Sequence, residues 1–253
     1  MKRSAACLMA ASLIVAGSAQ AAGGLTTYYG VGGGIGTLDM SGSYIQSRRV
    51  PFLQVGWDGT GHGAFVVLQS GFATDNSAAY INTLIGFGWS WLKFGGGFWQ
   101  ITATTPTRGG LNLAPSLAAY GIQVVTDGSR HTRMTNQAFP VYVRITPWHD
   151  HNNILTLNVW RSLHNLGRES IPVTLLGGTG SFNTKWDGEG QIEGGSIRYT
   201  HRLTQHLGIN VDYLYMEGRN AHGVLPVAYG PSVAAPVVRW QTRVLVLSAQ
   251  LVF

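Results

Sequence analysis

Apolar and polar residues alternate along most of this chain with the period of two that belongs to strands. The C-terminal segment shows it best. Leu245, Leu247, Ala249, Leu251 and Phe253 share one face, and Thr242, Ser248 and Gln250 share the other with Val244, Val246 and Val252. Just before it, Leu207, Ile209, Val211, Tyr213 and Tyr215 alternate with Gly208, Asn210, Asp212 and Leu214, and Ile197, Tyr199 and Leu203 alternate with Ser196, Arg198, Thr200 and Arg202. Matching the two apolar faces sets Leu203 opposite Leu207, with Thr204, Gln205 and His206 as the turn. That register puts Arg198 across from Asp212 as an interior ion pair, which sets register more than it adds stability.

The same alternation predicts strands at 27–37, 50–58, 62–72, 80–90, 92–104, 116–126, 137–147, 152–163, 171–179, 190–203, 206–216 and 238–253. The 80–104 stretch exceeds a membrane strand of about 9–11 residues, so it is split near Ser90–Lys93. Trp89 and Trp91 on one side, and Phe98 and Trp99 on the other, read as interfacial girdles. Twelve strands is the reading; rejecting the split and the Pro172 segment leaves ten, and eight stays open. An even number puts both termini at one end. Connections at 38–49, 105–115, 180–189 and 217–237 are the longer ones, as outer loops are. The glycines between Tyr29 and Thr37 are expected to make room for side chains from the opposite wall.

Composition turns this pattern into a fold class. Charged residues are 11% of the 253, less than half the usual share of about 25%, while aromatics are 11% and glycine occurs 35 times. No stretch beyond the first residues is apolar for the 18 or more positions of a membrane helix. Few charges spread over alternating strands fit an all-β, single transmembrane antiparallel β-barrel, since hydrocarbon tolerates no unpaired sheet edge. A secreted β-sandwich also has many short alternating strands, but the low charge and abundant Tyr and Trp argue against it. At the N-terminus, Lys2 and Arg3 precede the apolar run 4–16 and Ala19-Gln20-Ala21. These are the parts of a signal peptide, so residues 1–21 are expected to be removed and 22–253 to form the barrel. The one cysteine, Cys7, falls in the removed part, so no disulfide holds the fold.

The last strand, ending on Phe253 with apolar residues at alternate positions before it, resembles the assembly signal of bacterial outer-membrane β-barrels. The resemblance implies a Gram-negative outer-membrane location and recognition of this strand by the barrel-assembly machinery. Outer-membrane lipid and lipopolysaccharide are the expected surroundings, with dispersed basic residues facing lipopolysaccharide phosphates. The net charge of +6 is not gathered into a nucleic-acid-binding patch. Oligomeric state is not legible.

Strand parity places Arg144, Arg198, Arg202, Asp212, Asn158 and Asn210 in the lumen, with Gln54, Gln69 and, given the split, Lys93. Basic groups outnumber acidic ones there, which favours anionic solutes in a pore; a closed polar network is the alternative. His149-Asp150-His151 falls short of a zinc ligand set and reads as a hydrated turn, so no metal or cofactor is expected. Trp57-Asp58, Gly61-His62-Gly63, Asp75, Ser77 and Gly86-Phe87-Gly88-Trp89 look somewhat like part of the outer-membrane lipid A palmitoyltransferases. That likeness implies a catalytic set of His62, Asp75 and Ser77, with His62 as base. It departs from the family in that Asn76 separates Asp75 from Ser77, and the family's first-strand histidine has no counterpart in 25–37. Three functions follow: a narrow porin-like channel for small or anionic solutes; a lipid-modifying enzyme, of acyltransferase or lipase type; and a structural or adhesive barrel acting through loops 38–49 and 217–237. The first is the leading expectation, without enzymatic activity.

Overall fold

The computed structural model describes residues 26–61, 63–109, 118, 121–126, 128–175, 178–187, 191–220, 224–225, 233–234 and 237–252. The expected signal peptide, His62 and Phe253 lie outside them. The strands are β1 (Thr26–Ser41), β2 (Arg48–Gly61), β3 (Ala64–Ala73), β4 (Ala78–Gly88), β5 (Leu92–Pro106), β6 (Ile122–Val124), β7 (His131–His149), β8 (Asn153–Leu175), β9 (Gly178–Asp187), β10 (Gln191–Arg202), β11 (Leu207–Asn220), β12 (Val224–Leu225), β13 (Val233–Ala234) and β14 (Val238–Val252).

Ten of them close a ring in the order β1-β2-β3-β4-β5-β7-β8-β10-β11-β14, and β14 pairs back to β1 with Leu251 opposite Tyr29. Every pairing in the ring is antiparallel. The wall therefore has ten strands, not twelve, and the two surplus strands have identifiable causes. The expected 116–126 strand lies partly outside the described residues; its described part is extended at Ile122–Val124, where it pairs with the far end of β8 outside the ring. The expected 171–179 strand is two things: Ile171–Leu175 ends β8, and β9 begins at Gly178. At 23 residues, β8 is far longer than the 9–11 or so that cross a bilayer. Its first part pairs with β7 and β10 in the wall, and its last part pairs with β9 beyond it. The split of 80–104 is real, with β4 and β5 joined through Trp89, Ser90 and Trp91.

Short turns gather at the end that carries the termini, and the longer connections at the opposite, loop end. Outward side chains of the wall form an exposed apolar belt that includes Val31, Ile35, Ile85, Val159, Leu245 and Leu247. A contiguous apolar surface of this kind needs a nonaqueous neighbour. Trp89, Trp91 and Trp148 are exposed at the terminal end, where a girdle belongs. Trp99 is not a girdle residue. Its neighbour Phe98 faces out, so one step along β5 carries Trp99 into the lumen, where it is 3% exposed and stacks on Trp240 at 5.5 Å.

Glycine on β1 serves the wall itself as much as the lumen. A Cβ on Gly34 would collide with the Leu245 carbonyl of β14, whereas one on Gly36 would only reach ordinary contact with Phe52. Close approach of two backbones is a use that glycine alone meets.

Candidate functional site: a side-chain-filled lumen

The lumen is built in layers. Nearest the terminal end lies a charge layer centred on Asp58 of β2. Arg144 on β7 meets it with both terminal nitrogens, at 3.2 and 2.9 Å, and Arg198 on β10 approaches its Oδ2 at 3.7 Å. Arg198 also donates to Asp212 of β11 at 2.5 Å. The two residues are cross-strand partners, and the hairpin has the register that its apolar faces require. Asn158 ties the layer to the wall: its Oδ1 accepts from Arg144 Nε at 3.2 Å and from the Tyr142 hydroxyl, and its Nδ2 donates to Ser196 at 2.7 Å. The Arg144 guanidinium also lies over the Phe65 ring, 4.9 Å from its centroid, an arrangement that favours a cation.

Polar residues of the other wall join in. Gln54 accepts from the buried Tyr80 hydroxyl at 2.5 Å, and Asn210 donates to Ser248 at 3.3 Å. Gln69 borders the same small cavity as Asp58 and Arg144. At the terminal rim, Lys93 donates to Thr60 at 2.6 Å, and Arg202 reaches the Tyr28 hydroxyl at 3.4 Å with its Nε buried and unpartnered.

Beyond the charge layer, toward the loop end, comes an aromatic layer. Phe52 stacks on Tyr80 at 5.4 Å and Trp99 on Trp240 at 5.5 Å, with Leu84, Ile101, Met134 and Met216 buried in the same core. Two cavities of about 40 and 30 Å³ remain at these levels. At roughly 10–15 Å³ of such volume per water, each has room for no more than a few waters.

The loop end is closed by a strap, residues 42–47, which turns down into the mouth so that Tyr44 and Ile45 are 1% and 0% exposed. Glu169 on β8 holds it, accepting from Ser43 Oγ at 2.7 Å and from the Tyr44 amide at 2.8 Å. Burial pushes the Glu169 carboxyl up to about 7, against the opposing hydrogen bonds of Ser43 and the Tyr44 and Ile45 amides.

Of the residues of the lipid-modifying reading, Asp75 and Ser77 are described and are brought together. Asp75 and Ser77 occupy the β3–β4 turn at the loop end, while His62 is outside the described residues and its neighbours Gly61 and Gly63 are at the terminal end. The ten residues of β3 run from the end at Gly63 to the turn of Asp75 and Ser77, about 33 Å. Asp75 Oδ1 accepts from the Ser77 hydroxyl at 2.5 Å and amide at 3.0 Å, and its Oδ2 pairs with Arg48 at 2.7 Å. Partial burial pushes the Asp75 carboxyl up, but the bonds from Ser77 and the Arg48 charge outweigh it and hold the group below its usual range. A carboxylate so held closes a turn and is a poor base.

Asp150 does the same between β7 and β8, accepting from the Asn152 amide at 2.9 Å and from the Asn153 amide and side chain at 2.7 and 3.0 Å. Among the described residues no cluster of three or more His, Cys, Asp or Glu is placed to hold a metal.

No family model matches the chain, and no curated protein matches it. Solved structures do. The outer membrane protease OmpT from Escherichia coli superposes with a TM-score of 0.53 over 91% of this chain and 97% of its own, at 10% identity. Neisserial surface protein A gives a TM-score of 0.38 at 10% identity, over 90% of this chain and 97% of its own. Ail of Yersinia pestis gives 0.37 at 9% identity, over 91% and 99%. The fold is that of a bacterial outer-membrane β-barrel. At such identities the likeness extends to the fold alone.

One residue central to this barrel went unread in the sequence. In the sequence Asp58 stands out only beside Trp57, in the likeness to acyltransferases. Yet it has the same parity on β2 as Gln54, which was assigned to the lumen, and an odd carboxylate among inward arginines is the signal that finds it.

Proposed function

We propose that this protein is a non-conducting barrel of the bacterial outer membrane that works through its loop end as a binding or adhesive surface. The observation that carries this reading is the filled lumen. An ion-paired layer and an aromatic layer lie in series, and the strap covers the mouth beyond them. With the interior occupied, exchange with the surroundings falls to the loop end, where β8 and β9 carry the sheet beyond the wall. Planar-bilayer recording of the refolded protein tests it. Silence is expected; discrete steps with anion preference would overturn it and restore the porin-like channel for small or anionic solutes.

Lipopolysaccharide belongs to the same reading as a partner. The outermost apolar row, Ile35, Leu245 and Tyr213, is followed two residues on by Thr37, Arg243 and Tyr215, with Arg49 beside Thr37. Both arginines are exposed, at the height where a belt-embedded barrel meets headgroup phosphates. Replacing Arg49 and Arg243 together with Gln is expected to reduce co-purifying lipopolysaccharide; unchanged retention would remove this partner. Recognition of β14 by the assembly machinery and removal of residues 1–21 are parts of the same proposal.

A further inference from the structure

The charge layer and Lys93 line a cavity of about 330 Å³ at the terminal end of the lumen, far from the strap and the loops. We propose that this vestibule is a binding site for a small oxyanion carrying two negative charges, of the phosphate class.

Among the described residues the terminal half of the lumen holds four cations, Lys93, Arg144, Arg198 and Arg202, against two carboxylates, Asp58 and Asp212. Arg144 and Arg198 are committed to those carboxylates. Lys93 touches only the neutral Thr60 hydroxyl, and Arg202 only the Tyr28 hydroxyl, with its Nε buried and without a partner. Two uncompensated positive charges inside a low-dielectric wall attract a mobile counter-charge strongly, because the surrounding hydrocarbon screens little.

The cavity wall carries the hydroxyls of Tyr28, Thr60, Thr146, Thr156 and Thr200 beside Lys93. Hydroxyls donate to oxyanions as readily as to water, and an ammonium adds a charge-assisted donor. The volume sits at the lower edge of small-molecule pockets, and the ion-paired floor ends it, so a bound anion enters and leaves by the same mouth.

The site stands apart from the loop-end reading, and failure of either leaves the other intact. The test is calorimetric titration of the purified barrel in zwitterionic detergent at low ionic strength, with inorganic phosphate as the probe and chloride as competitor. One saturable phosphate site is expected. Lys93→Gln is expected to weaken it by about tenfold or more, the size of a lost charge-assisted bond, while Arg49→Gln, on the outer face, leaves it unchanged. Should Lys93→Gln fail to regain the heat-modifiable migration of the folded barrel, Thr146→Val, which removes a hydroxyl from the cavity wall, is expected to weaken binding several-fold. Absence of saturable binding in the parent protein, equal binding in a folded Lys93→Gln or Thr146→Val variant, or full displacement by equimolar chloride would each overturn the assignment.

Discussion

Asp58 shows how much one side chain can decide here. It is the shared acceptor of two arginines whose side chains are 9% and 23% exposed, and Arg144 has no other carboxylate partner in the described residues. Buried ion pairs of this kind add little net stability, because desolvation offsets attraction, but removing one partner strands the other. Asp58→Asn keeps the shape and removes the charge. It is expected to lower stability by about 3–5 kcal/mol, read as an earlier loss of heat-modifiable migration or a lower denaturant midpoint. Arg198, which retains Asp212 at 2.5 Å, is less affected than Arg144. A change below about 1 kcal/mol, the range of exposed pairs, would mean that the layer is hydrated enough to screen itself.

At the scale of elements, what could be read in the sequence followed from face matching. The β10–β11 hairpin was legible because two apolar stripes must both meet lipid, which leaves a single register. The ends of β7 and β8 were not, because beyond the membrane no such demand exists. There a strand may continue, as β8 does through Pro172, with nothing in the apolar pattern to mark it. The strap was illegible for a related reason. Residues 42–47 look like an outer loop, and only the three-dimensional position of Glu169, more than a hundred residues away, folds them inward. That contact carries a pH dependence with a definite sign. A carboxyl whose folded value is raised to about 7 from 4.5 favours the folded strap while protonated. The contribution is full below about 4.5 and is lost as pH rises through about 7. The nearby Tyr44 hydroxyl, which burial and Glu169 push up to about 12, does not titrate in that window. Hydrogen exchange at the Tyr44 and Ile45 amides is therefore expected to rise across it beyond the intrinsic base-catalysed increase. In Glu169→Gln, neutral throughout, only the intrinsic increase should remain. An excess that persists in the variant would place the titrating group elsewhere.

For the whole molecule, closure of the ring solves the edge problem and creates an interior that must be filled or flooded. This chain fills it with two layers of different chemistry, so on the non-conducting reading proposed above resistance to ion flow is redundant. Trp240→Ala would hollow the aromatic layer and cost about 3–5 kcal/mol as a large-to-small core change, since Trp240 is 2% exposed and packed on Trp99. It would still leave Arg144, Asp58 and Arg198 spanning the lumen nearer the terminal end. The converse change, Arg144→Ala, thins the charge layer and leaves the stacked rings in place. Each single variant is thus expected to stay silent in planar bilayers, and the double variant to pass small ions, because only then are both barriers lowered. Conductance in Trp240→Ala alone would show that the charge layer is permeable to water and ions, leaving the aromatic layer as the true barrier. Silence in a folded double variant would shift the barrier to the strap, and the strap would then be the element to remove next.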